Sequence, residues 1–154
     1  MESGSEIGAK GPVVLWVSRH GLLPVQEQEL KDILGDFTLI QIAGKVPSAE
    51  WVIQKAKQVN ASIVIPVLPF TIITKIFELG KKKNIETWWA EMEEVKVLYR
   101  EPMPKVDYDP FNETVVIAAG EHEQRSYKIM RFKQFQRIKG IKVEMEPVKK
   151  RVRA

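Results

Sequence analysis

The chain has 154 residues, 44% of them apolar and 29% charged, with no cysteine and a formal net charge of +4. That length suits one domain with one core, and the composition is that of a globular protein. The missing thiols exclude a disulfide framework, a thiolate nucleophile and a Cys-zinc site. No apolar stretch approaches the roughly 20 residues a membrane-spanning helix needs. Together these features predict an intracellular, cytoplasmic protein with no membrane partner.

The distribution of charge says more than its total. Residues 1–100 balance 12 basic side chains with 12 acidic ones, whereas residues 125–154 carry 11 basic residues against Glu144 and Glu146. The whole positive excess therefore sits in the last fifth of the chain. Such asymmetry points to a polyanionic partner.

Residues 1–11 hold three glycines, two serines and no apolar core, so they read as a flexible tail rather than a signal peptide. A single α/β domain is expected over residues 12–147, with a basic tail over 148–154. Val13–Val17 is a continuous apolar run, as expected of a strand covered on both faces, and it stops in Ser18-Arg19-His20. Pro24 suits a first helical turn, Leu23, Leu30, Ile33 and Leu34 recur at helical spacing, and Gly35 supplies a stop. Phe37–Ile42 reads as a second strand. Ser48 is an N-cap for a second helix, which Asn60 closes in the left-handed conformation.

Ser62–Leu68 reads as a third buried strand, and Pro66 within it demands an edge position or a bulge, because proline cannot donate to a ladder. Thr71 is placed to cap a third helix with Ile72, Ile73, Ile76 and Phe77 on its apolar face. From Ile85 to Tyr99 the apolar residues fit a helical stripe. The strand–helix rhythm asks instead for a fourth strand over Glu86–Met92, and we expect the strand. A proline-rich connector follows over Glu101–Pro110. Thr114–Ala119 and Ser126–Lys133 are expected to form a hairpin about a turn at Gly120–Gln124, and Ile141, Val143 and Met145 alternate as a last, half-exposed strand. The order β-α-β-α-β-α-β predicts a Rossmann-like three-layer, mostly parallel sheet with a C-terminal antiparallel β extension.

In such sheets ligands bind outside the carboxyl ends of the strands, near a reversal of strand order. Arg19, His20, Lys45 and Thr71 are the ligand-binding candidates there: Arg19 for bidentate grip on phosphate, Thr71 for its place at a helix N-terminus. A catalytic variant uses Ser18 as nucleophile and His20 as general acid or base, oriented by Glu91. Arg131, Phe132, Lys133, Arg137 and Lys139 interleave cations with aromatics, the pattern of a nucleic-acid surface.

Sharper motifs are missing. There is no GxGxxG, no GxxxxGK[ST] and no HExxH, so no cofactor or metal is implied. Asp107 and Asp109 read as turn residues of the connector as readily as Mg²⁺ ligands, and His122, between Glu121 and Glu123, as part of a solvated turn. No motif matches a family specifically enough to name one.

The leading functional expectation is a nucleotide- or nucleic-acid-binding module that recognises phosphates. A metal-independent phosphodiesterase or nuclease is the alternative. A scaffold for an acidic protein partner, with homo-oligomerisation through Trp88 or Trp89, is the third.

Overall fold

The computed structural model describes residues 11–119 and 124–151. The elements run β1 (Val13–Val17), α1 (Pro24–Leu34), β2 (Thr38–Ile42), α2 (Ala49–Gln58), β3 (Ile63–Pro66), α3 (Phe70–Lys81), β4 (Glu86–Leu98), β5 (Glu113–Ala119) and β6 (Arg125–Arg137). The tail expected over residues 1–11 and the turn around His122 fall almost wholly outside the described residues. Gly11 is described, at φ 72°, and a Cβ there would stand 1.8 Å from the Asp36 carbonyl oxygen. Only glycine lets the chain pass so close to the α1–β2 turn.

Among the described residues six strands make one sheet in the order β2-β1-β3-β4-β6-β5. The expected fold class fails in its proportions and its shape. The parallel ladders of β1–β2, β1–β3 and β3–β4 extend over five, four and two residue pairs, and the antiparallel ladders of β4–β6 and β5–β6 over ten and seven. The molecule is a mixed α/β half-barrel, a curled and partly antiparallel sheet with three helices, and not a mostly parallel three-layer sandwich.

The cause lies in β4 and β6, each 13 residues long. The register between them slips twice, at Glu91/Met92 and at Glu94/Lys96. A bulge puts an extra residue in one strand, bends it and sharpens its twist, so two in succession curl the sheet.

Helices flank both faces only over β1 and its neighbours. Leu15, Val17 and Val64 pack with Val52, Ala56 and Ile76 of α2 and α3. On the opposite face Val14, Trp16, Ile63 and Ile65 pack with Leu30 of α1 and with Trp88. That second cluster continues into the antiparallel half through Phe135, whose ring lies 6.3 Å from Trp88 and 4.9 Å from Phe132. Trp88 is thus a core residue and not the oligomerisation surface expected of it, while Trp89, its neighbour on the other face, is 43% exposed.

Local expectations hold or fail for physical reasons. Ser48 Oγ accepts from the Trp51 amide at 3.1 Å, and Asn60 adopts φ 57°. Thr71 does not cap α3: the N-cap is Pro69, which offers no side-chain acceptor. β3 is interior rather than an edge strand, and Pro66 is tolerated because it comes last. The Val67 amide, one residue on, donates to the Val17 carbonyl at 2.8 Å. No strand forms at Ile141–Met145, where every residue is exposed.

The Thr87 hydroxyl, wholly buried where β4 leaves β3, has no hydrogen-bond partner among the described residues. An unpaired buried hydroxyl costs about 1–3 kcal/mol. Thr87→Val keeps the shape and removes that cost, so urea unfolding should show the variant more stable by about 1 kcal/mol. A loss of stability would mean that the hydroxyl has a partner.

Candidate functional site

The strand order reverses at β1: the chain steps outward from β1 to β2 and then returns to the other side of β1 as β3. The helix after β1 covers one face of the sheet and the helix after β3 the other. Their leading turns therefore diverge at the carboxyl ends of β1 and β3, the geometry that opens a ligand crevice in α/β sheets.

Ser18, Arg19 and His20 occupy the β1 side of this edge in a tightly held turn. Ser18 is buried, its amide donates to the Ile42 carbonyl at 3.1 Å, and its carbonyl accepts from Gln41 Nε2 at 3.0 Å. Its hydroxyl accepts from the His20 amide at 3.1 Å, and the Trp16 indole donates to the His20 carbonyl at 2.8 Å. The turn is fixed by its backbone, which leaves the Arg19 and His20 side chains exposed on the rim. No ion pair or side-chain hydrogen bond among the described residues engages either of them.

On the β3 side of this edge, the α3 N-terminus presents the Phe70 and Thr71 amides without an acceptor among the described residues. In α1 Gln26 Oε1 accepts from the Leu23 amide and the Val25 amide donates to the Phe111 carbonyl, and in α2 the Ser48 hydroxyl accepts from the Trp51 amide. Phe70 is 69% exposed beside these amides. Lys45 follows β2 and is exposed.

Glu91 is not brought to His20. It lies on β4, two positions along from Trp89 and on the opposite face from Trp88, and accepts from Gln134 Nε2 at 3.0 Å and Gln136 Nε2 at 2.7 Å. Those two amide donors hold its carboxyl below the usual carboxylate range. No hydrogen bond or ion pair among the described residues joins Ser18, His20 and Glu91. The Ser18 hydroxyl is the acceptor of a local turn, which is a structural use of it.

The basic strand is largely neutralised from within. Arg131 Nε and Nη2 reach Glu113 Oε2 at 3.0 and 2.9 Å, Arg137 Nε donates to Glu86 Oε1 at 2.9 Å, and Lys133 Nζ lies 3.9 Å from Glu93. Lys128 stands 3.6 Å from Glu94 in the same pattern. Phe132 is buried, so it offers no stacking surface. Lys139 has no ion-pair partner among the described residues, and it opens an exposed segment that carries Lys149, Lys150 and Arg151.

Asp107 and Asp109 serve the connector. The Arg100 guanidinium grips Asp107 with two bonds of 2.8 and 2.7 Å, and the Met103 amide adds a third at 2.7 Å. That grip, and then the Met103 amide, hold the Asp107 carboxyl far below its usual range. Asp109 Oδ1 accepts from the Phe111 amide. The described residues contain no cluster of three or more metal-ligating side chains.

Two open depressions of the surface, about 430 and 490 Å³, are lined by residues 105–109 and by Glu27, Lys31, Gly35, Asp36, Phe37 and Leu39. Neither includes a residue of the carboxyl edge. Among the described residues no helix is long and apolar enough to cross a membrane. No protein-family model, curated protein or solved structure matches the chain.

Sequence reasoning missed Trp16 and Gln26. Trp16 lies within the β1 run, where its indole N–H gave the only hint of a buried bond. Gln26 is buried in the first turn of α1, with Nε2 3.8 Å from Met92 Sδ, and nothing in its spacing announces that.

The pairing of the basic strand makes a test. Arg131→Ala strands the buried Glu113 carboxylate and should destabilise the fold by about 1–3 kcal/mol. Lys133→Ala breaks an exposed pair and should change stability by less than about 0.5 kcal/mol. Urea titrations of both variants check this. Equal effects would contradict the distinction between a structural and a peripheral cation.

Proposed function

We propose that the chain is a binding module for a phosphate-bearing ligand, a nucleotide or a nucleic-acid strand, held at the carboxyl edge between β1 and β3. The observation that carries the reading is the reversal of strand order at β1, with α1 and α3 on opposite faces of the sheet. Arg19 supplies a forked cation on one rim, and the Phe70 and Thr71 amides face anions at a helix N-terminus on the other. Phe70, exposed beside those amides, offers a base or sugar an apolar surface.

A phosphodiesterase has less support, because the Ser18 hydroxyl is engaged by the His20 amide and Glu91 by two glutamines. The β6 surface also has less support as a nucleic-acid site, because four of its five cations, Lys128, Arg131, Lys133 and Arg137, already have carboxylate partners. Lys139 and the basic segment beyond it are the cations left to extend contact along a strand.

Fluorescence anisotropy with labelled ATP and a labelled single-stranded RNA, at about 50 and about 200 mM salt, tests the proposal. Arg19→Ala should weaken binding about tenfold or more, as expected for loss of a charge-assisted contact. Lys133→Ala should leave affinity unchanged. Failure of the wild-type chain to bind either probe, or undiminished binding by Arg19→Ala, would contradict the proposal.

A further inference from the structure

We infer that the segment Ile141–Met145 of one copy adds as a strand to the free edge of β5 in a second copy, and that two copies exchange these strands reciprocally. Two unmet requirements in the fold answer one another.

The first is the outer edge of the antiparallel half. Among the described residues β5 is the last strand of the sheet, and it pairs with β6 along its whole length without a register shift. Edge strands of soluble proteins are ordinarily blunted by lysine, proline or a bulge. From Thr114 to Ala119 there is no charge, no proline and no bulge. Val116 and Ile117, successive residues that point to opposite faces, are 47% and 61% exposed. β2, at the other edge, is shorter, and its Ile40 and Ile42 pack against the core beneath α2 and α3.

The second is a strand sequence without a sheet. Ile141, Val143 and Met145 alternate with Lys142, Glu144 and Glu146, and are 41%, 75% and 89% exposed. Lys142 Nζ lies 3.1 Å from Glu144 Oε1. In an extended chain residues two apart share a face, so Lys142 and Glu144 would stand on one side and Ile141, Val143 and Met145 on the other. Placed against β5, that side meets an apolar strand, and the charged side meets no like charge.

The segment Ile141–Met145 cannot lie along the β5 edge of its own copy. β6 ends at Arg137, where the Ile138 amide bonds to the Thr87 carbonyl, whereas the nearest residue of β5, Glu113, is opposite Arg131. Six residues of strand separate those levels, about 20 Å at the usual rise. Ile141 is four residues beyond Arg137, a reach of at most about 14 Å. A segment Ile141–Met145 that pairs along β5 therefore comes from another copy. Reciprocal exchange closes such a pair with two-fold symmetry rather than propagating it.

Size-exclusion chromatography with light scattering on the full chain reads the outcome. The wild type should give about twice the 17.7 kDa monomer mass. Val143→Pro removes a ladder donor at a position exposed and outside every helix and strand. It should raise the dimer dissociation constant about tenfold or more while leaving the circular dichroism of the fold intact. Ile117→Lys, on the accepting edge, should weaken the dimer similarly. A mixture of the two variants keeps one sound donor and one sound edge, and so should associate more strongly than either alone. A monomeric wild type at every concentration would overturn the inference. So would a dimer that Val143→Pro leaves intact and Ile117→Lys abolishes, since that pattern means β5 pairs with β5.

Discussion

β4 leaves β3 after only two residue pairs, Ile63↔Glu86 and Val64↔Thr87, and most of the architecture follows from that departure. Ile65 and Pro66, which complete β3, pair with β1 but not with β4. Released from β3, β4 continues to Leu98 and takes its hydrogen bonds from β6 instead. One strand thus belongs to a parallel ladder at its start and to an antiparallel ladder for the rest. Trp88 sits at the handover, buried between Leu30 of α1 and Phe135 of β6, and joins the two halves through one apolar cluster. The two bulges that follow turn the antiparallel half away from the plane of the parallel half, which gives the half-barrel.

This division also separates the chemistry. Over the parallel half, the reversal of strand order leaves two turns at the carboxyl edge, one with a guanidinium and the other with helix N-terminal amides that have no partner among the described residues. Over the antiparallel half, carboxylates of β4 and β5 neutralise the cations of β6 across the ladder, Glu113 with Arg131 and Glu93 with Lys133. Opposite charges on adjacent strands are a device of sheet pairing before they are anything else. The positive excess counted along the chain therefore overstates the cation surface that a polyanion would meet.

The parts of the fold that were legible in the sequence are those set by local physics. Val13–Val17 reads as a doubly buried strand because both faces are in fact covered, and Ser48 and Asn60 act as caps because capping depends on a few neighbouring atoms. β4 is ambiguous in the sequence because the bulge at Val95 breaks its period of two, so that Trp88, Met92 and Val95 fall at the spacing of a helix while lying on a strand. The fold class was misjudged because the strand–helix rhythm counts elements and says nothing about their lengths. The antiparallel strands turned out long and the parallel ones short. The carboxyl-edge candidates lay where chain order puts them, since strand ends follow from strand identity. The surroundings of Glu91 depend on register against β6, whose Gln134 lies 43 residues away in the chain, and no local pattern encodes that.

Native-state hydrogen exchange resolved by residue tests most directly whether β4 welds the two halves into one cooperative unit. The account predicts that amides of β4 and β6 around Trp88, Ala90 and Phe135 exchange with the same opening free energy as those of β1 and β3. Exchange of the whole β4–β6–β5 ladder at a distinctly lower free energy, while β1 and β3 stay protected, would contradict it.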